Sequence, residues 1–265
     1  MRFRSEKLRV SFYAKQYMDA PRLSAEFPVL KSGESREIPV YALFNDSIFR
    51  VTEGTKAAGE VVIEYYYLGR KTEKRVPVTV DVQNRNAMTW DDDRKAAAFV
   101  TAKDPVILGF AKGIASMVRA DQGTAGVSLE FRTGLALFQA LKEYGMGYAI
   151  DPSTPFVATS SSETTVDFLQ FPNQTLAYRA GDCDDLSVMY CSLLEAIGIP
   201  SAFVTTPGHI YVAFNTGLSP ENAAKMFQDS GDFIVREGSV WIPVEVTIVK
   251  DGFVQIGRAS CRERV

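Results

Sequence analysis

The hydrophobic pattern of this chain changes its period once, and that change constrains the fold more than any other feature. Before residue 83, apolar and β-branched residues form short runs separated by Gly, Pro and charged residues. These runs are Leu8–Tyr13, Ile38–Phe44, Val61–Leu68 and Val76–Val82. Their spacing is typical of strands in an antiparallel sandwich. From Asp104 onward, apolar residues recur at helical spacing. The sequence therefore predicts an all-β module followed by an α+β domain.

The predicted domain boundary lies in the polar connector after residue 83. We assign residues 1–90 to an immunoglobulin-like β-sandwich that acts as a scaffold or docking module, and residues 91–255 to the α+β domain. A chain of 265 residues with 46% hydrophobic residues is large enough for a substantial core. Residues 256–265 resemble the translation of a sequencing adapter, and we exclude them from the fold prediction.

Charge and hydropathy exclude two classes of partner. The net charge is −3, with acidic and basic residues interspersed, whereas nucleic-acid and anionic-membrane binding call for a basic surface. We therefore expect no nucleic-acid partner. No run of eighteen apolar residues occurs, and the start has no apolar segment typical of a signal peptide, so we expect no transmembrane segment. The sequence does not constrain the oligomeric state.

A cysteine stands at the start of a predicted helix. Cys183 lies in the run Ala-Gly-Asp-Cys-Asp-Asp, and the helical pattern continues to about residue 197, where Gly198 closes it. A thiol must lose its proton before it attacks a carbonyl. The only histidine of the chain, His209, opens a predicted strand, and Glu245 lies on the following one. These three residues are the candidate nucleophile, base and orienting carboxylate.

The acidic residues around Cys183 act against a thiolate. The helix N-terminus favours a negative charge on the sulfur, but Asp182, Asp184 and Asp185 flank it and raise its pKa. An ion pair with His209 has to overcome this effect. The Asp-x-Asp-Asp pattern also permits calcium binding, but it lacks the Gly and the terminal Glu of an EF-hand loop. We expect no metal and no cofactor.

Further residues are candidates for shaping the site. Acyl chemistry needs donors for an oxyanion; the backbone N–H of Cys183 is one candidate, and Gln174 and Tyr148 are alternatives for a second. Strand alternation places Trp241 on the same face as Glu245. The Ser- and Thr-rich stretch 154–165 is predicted to be a loop beside the site.

The order and context of these residues resemble the transglutaminase-like superfamily. The shared features are a Gly-Asp-Cys at a helix start, a Gly-His that opens a strand, and a Trp followed four residues later by an acidic residue. The resemblance covers about residues 104–252; where the family usually has Asp, this chain has Glu245. The resemblance implies a papain-like cysteine hydrolase fold with a Cys183–His209–Glu245 triad.

The resemblance also implies a reaction. Cys183 attacks an amide or peptide bond of a peptide or protein substrate and forms a thioester, and hydrolysis is favoured over crosslinking. Similarity to bacterial members favours an extracytoplasmic location. The alternative is a catalytically inactive scaffold or binding protein that keeps the fold, which the acidic residues around Cys183 and the Glu in place of Asp both permit.

Overall fold

The computed structural model describes residues 4–121, 127–152, 154–159, 164–227 and 229–251. The contacts within the chain divide it into two compact units, Met1–Arg85 and Asn86–Val265. The predicted adapter-derived tail, 256–265, lies outside the described residues. Among the described residues, no helix combines the length and the apolar character needed to cross a membrane.

The first unit is built on one antiparallel sheet with the strand order β2-β1-β3-β4. Its strands are β1 (Arg4–Tyr13), β2 (Arg22–Lys31), β3 (Thr55–Tyr67) and β4 (Arg70–Val82). Leu68 and Gly69 join β3 to β4 with φ angles of 50° and 76°. Two left-handed residues in a two-residue loop match the twist of the strands that they connect, so the long hairpin needs no further support at its tip.

The antiparallel strands predicted for this unit are confirmed, with two differences. The predicted strand Ile38–Phe44 is wrong, because this segment is irregular, and its Tyr41 and Leu43 are 66% and 67% exposed. Strand β2 was not predicted, since it is an edge strand without a buried residue and contains Pro28. All four strands lie in one sheet, and the segment 32–54 carries a short 3-10 helix, Asp46–Arg50, where a sandwich would have a second sheet.

The second unit combines helices with a four-stranded antiparallel sheet, as predicted for an α+β domain. Its helices are α1 (Pro105–Ala120), α2 (Leu129–Tyr144), α3 (Phe156–Thr159), α4 (Pro172–Tyr178), α5 (Cys183–Ala196) and α6 (Pro220–Met226). The main strands are β9 (Ser201–Thr206), β10 (His209–Asn215), β11 (Ile234–Arg236) and β12 (Ser239–Val244), in the order β11-β12-β10-β9.

Short strands and 3-10 helices complete the second unit. Strand β5 (Ala87–Met88) pairs with β7 (Asp167–Phe168), and β6 (Gly147–Tyr148) pairs in parallel with β8 (Ala180–Gly181). The 3-10 helices are Asp93–Phe99, Ser230–Asp232 and Val246–Asp251. The β6–β8 pair fixes the backbone just before Cys183, the first residue of α5.

Helix α5 is the centre of the core. Sequence periodicity predicted one buried stripe, but every residue from Cys183 to Leu194 is buried. A helix that is buried on all sides packs against neighbours in every direction, and α5 contacts β10, α1 and α4. The helix ends as predicted, because Gly198 follows it with a φ of 81°.

Two apolar clusters surround α5. The larger one includes Leu186, Tyr190 and Phe214. The smaller one encloses Cys183 and includes Trp90, which packs edge-on against Phe156 with ring centroids 4.7 Å apart. Trp90 is itself buried, at 6% exposure. The sulfur of Cys183 therefore lies between polar groups at the helix start and an apolar cluster.

Candidate active site

The start of α5 holds Cys183 in a tightly packed turn. A Cβ atom on Gly181 would lie 2.6 Å from the Cβ of Asp185, so this position admits only glycine without displacing the helix start. The backbone N–H of Asp182 donates to the carboxylate of Asp185 over 3.3 Å. Both contacts restrain the residues on either side of the turn that presents the thiol.

The Cys183 side chain is 3% exposed, and the backbone N–H of Ile210 acts on its thiol. Burial raises the pKa of the thiol to about 12, and the charges of Asp182 and Glu245 act in the same direction. The Ile210 N–H opposes them. A thiolate at this position consequently needs a positive charge nearby.

His209 and Glu245 form a buried pair. The imidazole Nε2 lies within hydrogen-bonding distance of the Glu245 carboxylate. The other carboxylate oxygen accepts from the N–H and the hydroxyl of Thr247, over 3.1 and 2.6 Å. Burial alone raises the pKa of Glu245, but the hydrogen bonds from His209 and Thr247 outweigh it and hold the pKa below its usual value. Glu245 is therefore the ionised partner of the imidazole.

His209 and Glu245 are in contact at the N-terminal end of β10. The Ile210 N–H, next in the chain to His209, and the Glu245 charge both act on the Cys183 thiol. Nε2 of His209 is the ring nitrogen that pairs with Glu245. Glu245 lies just beyond β12, where the predicted alternation of strand faces no longer applies.

Carboxyl groups are buried around the helix start. Asp182, Asp184 and Asp185 are at most 4% exposed. Burial, followed by the charge of Asp167, raises the pKa of Asp182 to about 7. Burial and the charge of Asp182 raise the pKa of Asp185, although its oxygens accept two hydrogen bonds of 2.7 Å from the backbone and the side chain of Gln170. Asp182 and Asp185 are therefore partly protonated near neutral pH.

The ligand atoms of Asp182, Asp184 and Asp185 lie within 4.8 Å of one another, which would permit a metal ion. Asp185 already accepts from Gln170 and from the backbone N–H of Asp182. The Asp184 carboxylate accepts from the N–H of Asp185 over 3.0 Å. The helix start thus uses these oxygens as hydrogen-bond acceptors.

Asp167 belongs to this environment, although no sequence pattern indicated it. Its carboxylate is 3% exposed and accepts from the Trp90 indole N–H over 2.7 Å and the Thr159 hydroxyl over 3.3 Å. Burial nevertheless raises its pKa. A single acidic residue near a Ser- and Thr-rich stretch does not predict a buried carboxyl group whose charge raises the pKa of Asp182.

The predicted oxyanion residues have different surroundings. The side-chain oxygen of Gln174 accepts from Asn86 Nδ2 and from the Phe171 N–H, over 2.6 and 2.8 Å, so this oxygen caps α4. Tyr148 is 41% exposed and lies beside Gly181 in the parallel β6–β8 pair. Of the two, Tyr148 is close in the fold to the start of α5.

Trp241 does not lie beside His209. Its register partner on β10 is Asn215, at the opposite end of that strand. It also precedes Glu245 by four residues, or about 13 Å along an extended chain. The predicted loop 154–165 contains α3, and the Phe156 N–H at the start of α3 donates to Asp182; residues 160–163 lie outside the described part.

Comparison with protein families matches residues 153–255 to the Transglut_core model, described as the transglutaminase-like superfamily. Among curated proteins and among solved structures, none matches the chain. The matched segment includes α4, α5 and the main sheet, and with them Cys183, His209 and Glu245. Residues 153–255 are therefore similar to the transglutaminase-like superfamily, and the unit that contains them has an α+β architecture.

Proposed function

We propose that the domain catalyses cysteine-dependent acyl transfer from an amide or peptide bond. The Cys183 thiolate attacks the carbonyl carbon, and the C–N bond breaks as the leaving amine takes a proton from His209. The product is a thioester on Cys183. Water then attacks the thioester, with His209 as the base, and releases a carboxylic acid and the free thiol. Peptides or proteins are the substrates, and water is the favoured acceptor over an amine.

One observation supports this proposal: the His209 imidazole is paired with the buried Glu245 carboxylate, and the Glu245 charge and the Ile210 N–H, next in the chain to His209, both act on the Cys183 thiol. Glu245 orients the imidazole and stabilises its charged form, and Thr247 fixes the carboxylate. Backbone N–H groups in the first turn of a helix have no intrahelical acceptor, so the Cys183 N–H is the proposed first oxyanion donor. Tyr148 is the candidate second donor.

Thiol alkylation by iodoacetamide tests the activated pair. A thiol with a pKa of about 12 has only about one thiolate in 10⁵ at pH 7, against about 3% for a free cysteine of pKa 8.5. We expect Cys183 to react at pH 7 at least as fast as free cysteine. We also expect His209→Ala to remove this reactivity, because the imidazolium is what stabilises the thiolate.

Cys191 is the internal control for this measurement. It is also buried, and burial raises its pKa to about 12, but it has no histidine beside it, since the chain has only one. Peptide mapping after alkylation separates the two cysteines. If Cys183 and Cys191 react equally slowly at pH 7, and His209→Ala does not change the rate, the proposed activation of Cys183 by His209 is refuted.

Glu245→Gln tests the orienting role. The Glu245 carboxylate accepts from His209 on one oxygen and from Thr247 on the other. A glutamine has one acceptor oxygen and a donor amide, so it cannot accept from both. We expect the Cys183 alkylation rate at pH 7 to fall by at least about tenfold, as for a thiolate that loses about 1.4 kcal/mol of stabilisation. Thr247→Ser keeps the hydroxyl and is the matched control.

The buried thiol also supports a second candidate, an inactive scaffold or binding protein. Cys183 is 3% exposed, and neighbouring charges oppose its ionisation. Intact-mass detection of a thioester after mixing with activated amides or peptides separates the two functions. An acyl adduct on wild type and none on Cys183→Ala supports catalysis, whereas the absence of both an adduct and fast alkylation supports the scaffold.

A further inference from the structure

We propose that the outer edge of β9 binds an extended peptide segment of another protein, which adds to the main sheet as a fifth strand. The binding surface is the edge of Ser201–Thr206 together with the cavity beside it, which we call the β9 slot. The surface is separate from Cys183, which is not among the residues that line the cavity. The inference therefore goes beyond the catalytic proposal and does not depend on it.

The hydrogen bonds of the sheet show which backbone groups of β9 point outward. Among the described strands, β9 lies at the edge of its sheet and pairs with β10. The Ser201 N–H donates to Glu195 Oε1 over 2.8 Å, away from β10. One residue earlier in the same register, the Asn215 N–H donates to the Pro200 carbonyl over 2.9 Å.

Residue pairs of an antiparallel ladder alternate between those that exchange backbone hydrogen bonds and those that do not. Because Pro200 and Asn215 are a hydrogen-bonded pair, Ser201 belongs to the second kind, and Phe203 and Thr205, two and four residues further along β9, belong to the same set. Their N–H and C=O groups therefore face the outer edge. Since Ser201 is already bonded to Glu195, Phe203 and Thr205 offer the outward groups for a new strand.

The β9 slot is a cavity of about 620 Å³ along this edge, within the usual size of ligand sites, about 300–1,000 Å³. The slot is lined by β9, by residues of the segment 93–102, and by Cys191 and Glu195 of α5. A strand lies about 4.8 Å from its neighbour in a sheet, so a single extended segment that pairs with β9 is the proposed occupant.

The sequence of β9 leaves this edge open to pairing. Exposed edge strands commonly carry Lys, Pro or a bulge that prevents strand addition. The strand Ser-Ala-Phe-Val-Thr-Thr has no charged residue and no proline. An extended peptide is the ligand whose alternating N–H and C=O groups match those of Phe203 and Thr205. The slot beside them, with Ala97 and Ala202 on its walls, accepts an apolar side chain of that peptide.

Selection from a phage-displayed library of random twelve-residue peptides tests the proposal. The selection uses the Cys183→Ala variant, so that the outcome does not depend on peptide turnover. Ala97 is exposed and lines the slot, and Ala97→Trp fills it, whereas the neighbouring Ala98 is exposed and is not a lining residue. We expect a selected, synthesised peptide to bind Ala97→Trp at least about tenfold more weakly, or 1.4 kcal/mol, and Ala98→Trp within about twofold.

Amide hydrogen exchange then identifies the mode of binding. Strand addition protects the amides of Phe203 and Thr205 when the peptide is present, and leaves that of Val204, which already faces β10, unchanged. The proposal is overturned if no peptide is enriched, if Ala97→Trp and Ala98→Trp bind the peptide equally, or if the new protection does not alternate along β9. Protection of the same amides without peptide, rising with protein concentration, also overturns it, because a second copy is then the occupant.

Discussion

Asp182→Asn should make the protein more stable at alkaline pH and leave it nearly unchanged in acid. Burial and neighbouring acidic groups raise the pKa of Asp182 from 3.8 to about 7. The folded state therefore holds this proton more tightly than the unfolded state. The stability of the wild type is highest below the unfolded pKa and falls as the pH rises from about 4 to 7. Asparagine has no proton to lose and avoids this fall.

The size of this change in stability follows from the unfolded and folded pKa values of Asp182. A rise from 3.8 to about 7 corresponds to about 4 kcal/mol of destabilisation once the carboxyl is fully ionised, at about 1.4 kcal/mol per tenfold change in proton affinity. About 2 to 3 kcal/mol of this develops between pH 5 and pH 8. The asparagine oxygen can still accept the Phe156 N–H, which keeps the hydrogen-bond loss small.

Urea unfolding followed by tryptophan fluorescence measures this difference. The chain has two tryptophans, Trp90 and Trp241, and both lie in the second unit, so the signal reports the unit that contains Asp182. The free energy of unfolding of the variant relative to wild type should rise by about 2 to 3 kcal/mol from pH 5 to pH 8. Glu221→Gln, at an exposed position, should give a flat difference. A flat difference for Asp182→Asn as well refutes the inference that a buried carboxyl ionises here.

The remaining predictions concern packing and pairing in the second unit, each checked by the same urea unfolding measurement. Gly134→Ala should destabilise it by about 1 to 3 kcal/mol, because the new Cβ would lie 2.5 Å from the Phe214 ring; Gly113→Ala, with nothing within 4 Å, should stabilise it by up to about 1 kcal/mol. Tyr190→Phe should cost about 0.5 to 1.5 kcal/mol, because the buried hydroxyl donates to the Gly134 carbonyl over 2.9 Å. The lowered pKa of Glu245 stabilises the folded state above pH 4.5, and this stability is lost as the pH falls through the folded pKa. The free energy of unfolding of Glu245→Gln should therefore lack this fall in acid.

The candidate triad could be found in the sequence because its residue types are rare and their context is local. A single histidine, placed after Pro207 and Gly208, leaves little choice of base. The start of α5 follows from Asp182 and its end from Gly198, since helix ends depend on neighbouring residues in the chain. The sequence could not locate Glu245 exactly, because alternation describes a strand, and Glu245 lies just past the end of β12.

Features that depend on distant contacts escaped prediction. The apolar run 38–44 resembles a strand, yet Tyr41 and Leu43 are exposed, since hydrophobicity alone does not say what a segment packs against. Runs of aspartates are usually solvated, whereas Asp185 is buried by contacts with Gln170, fifteen residues away. Asp167 is held by Trp90, which lies 77 residues earlier. Contacts between residues so far apart in the chain leave no periodic pattern in the sequence.

Asp182 and Glu245 are both buried, but the pKa of Asp182 is raised and that of Glu245 is lowered. The difference lies in the hydrogen-bond donors around each carboxyl group. Glu245 is buried but accepts from His209 and twice from Thr247, so it remains ionised. Asp182 is buried with acidic neighbours and two backbone donors, so its pKa is raised to about 7. The stable negative charge therefore lies at Glu245, which is paired with His209, while the carboxyl next to Cys183 can be neutral when the thiolate forms. This asymmetry is what allows a cysteine among aspartates to act as a nucleophile in the proposed reaction.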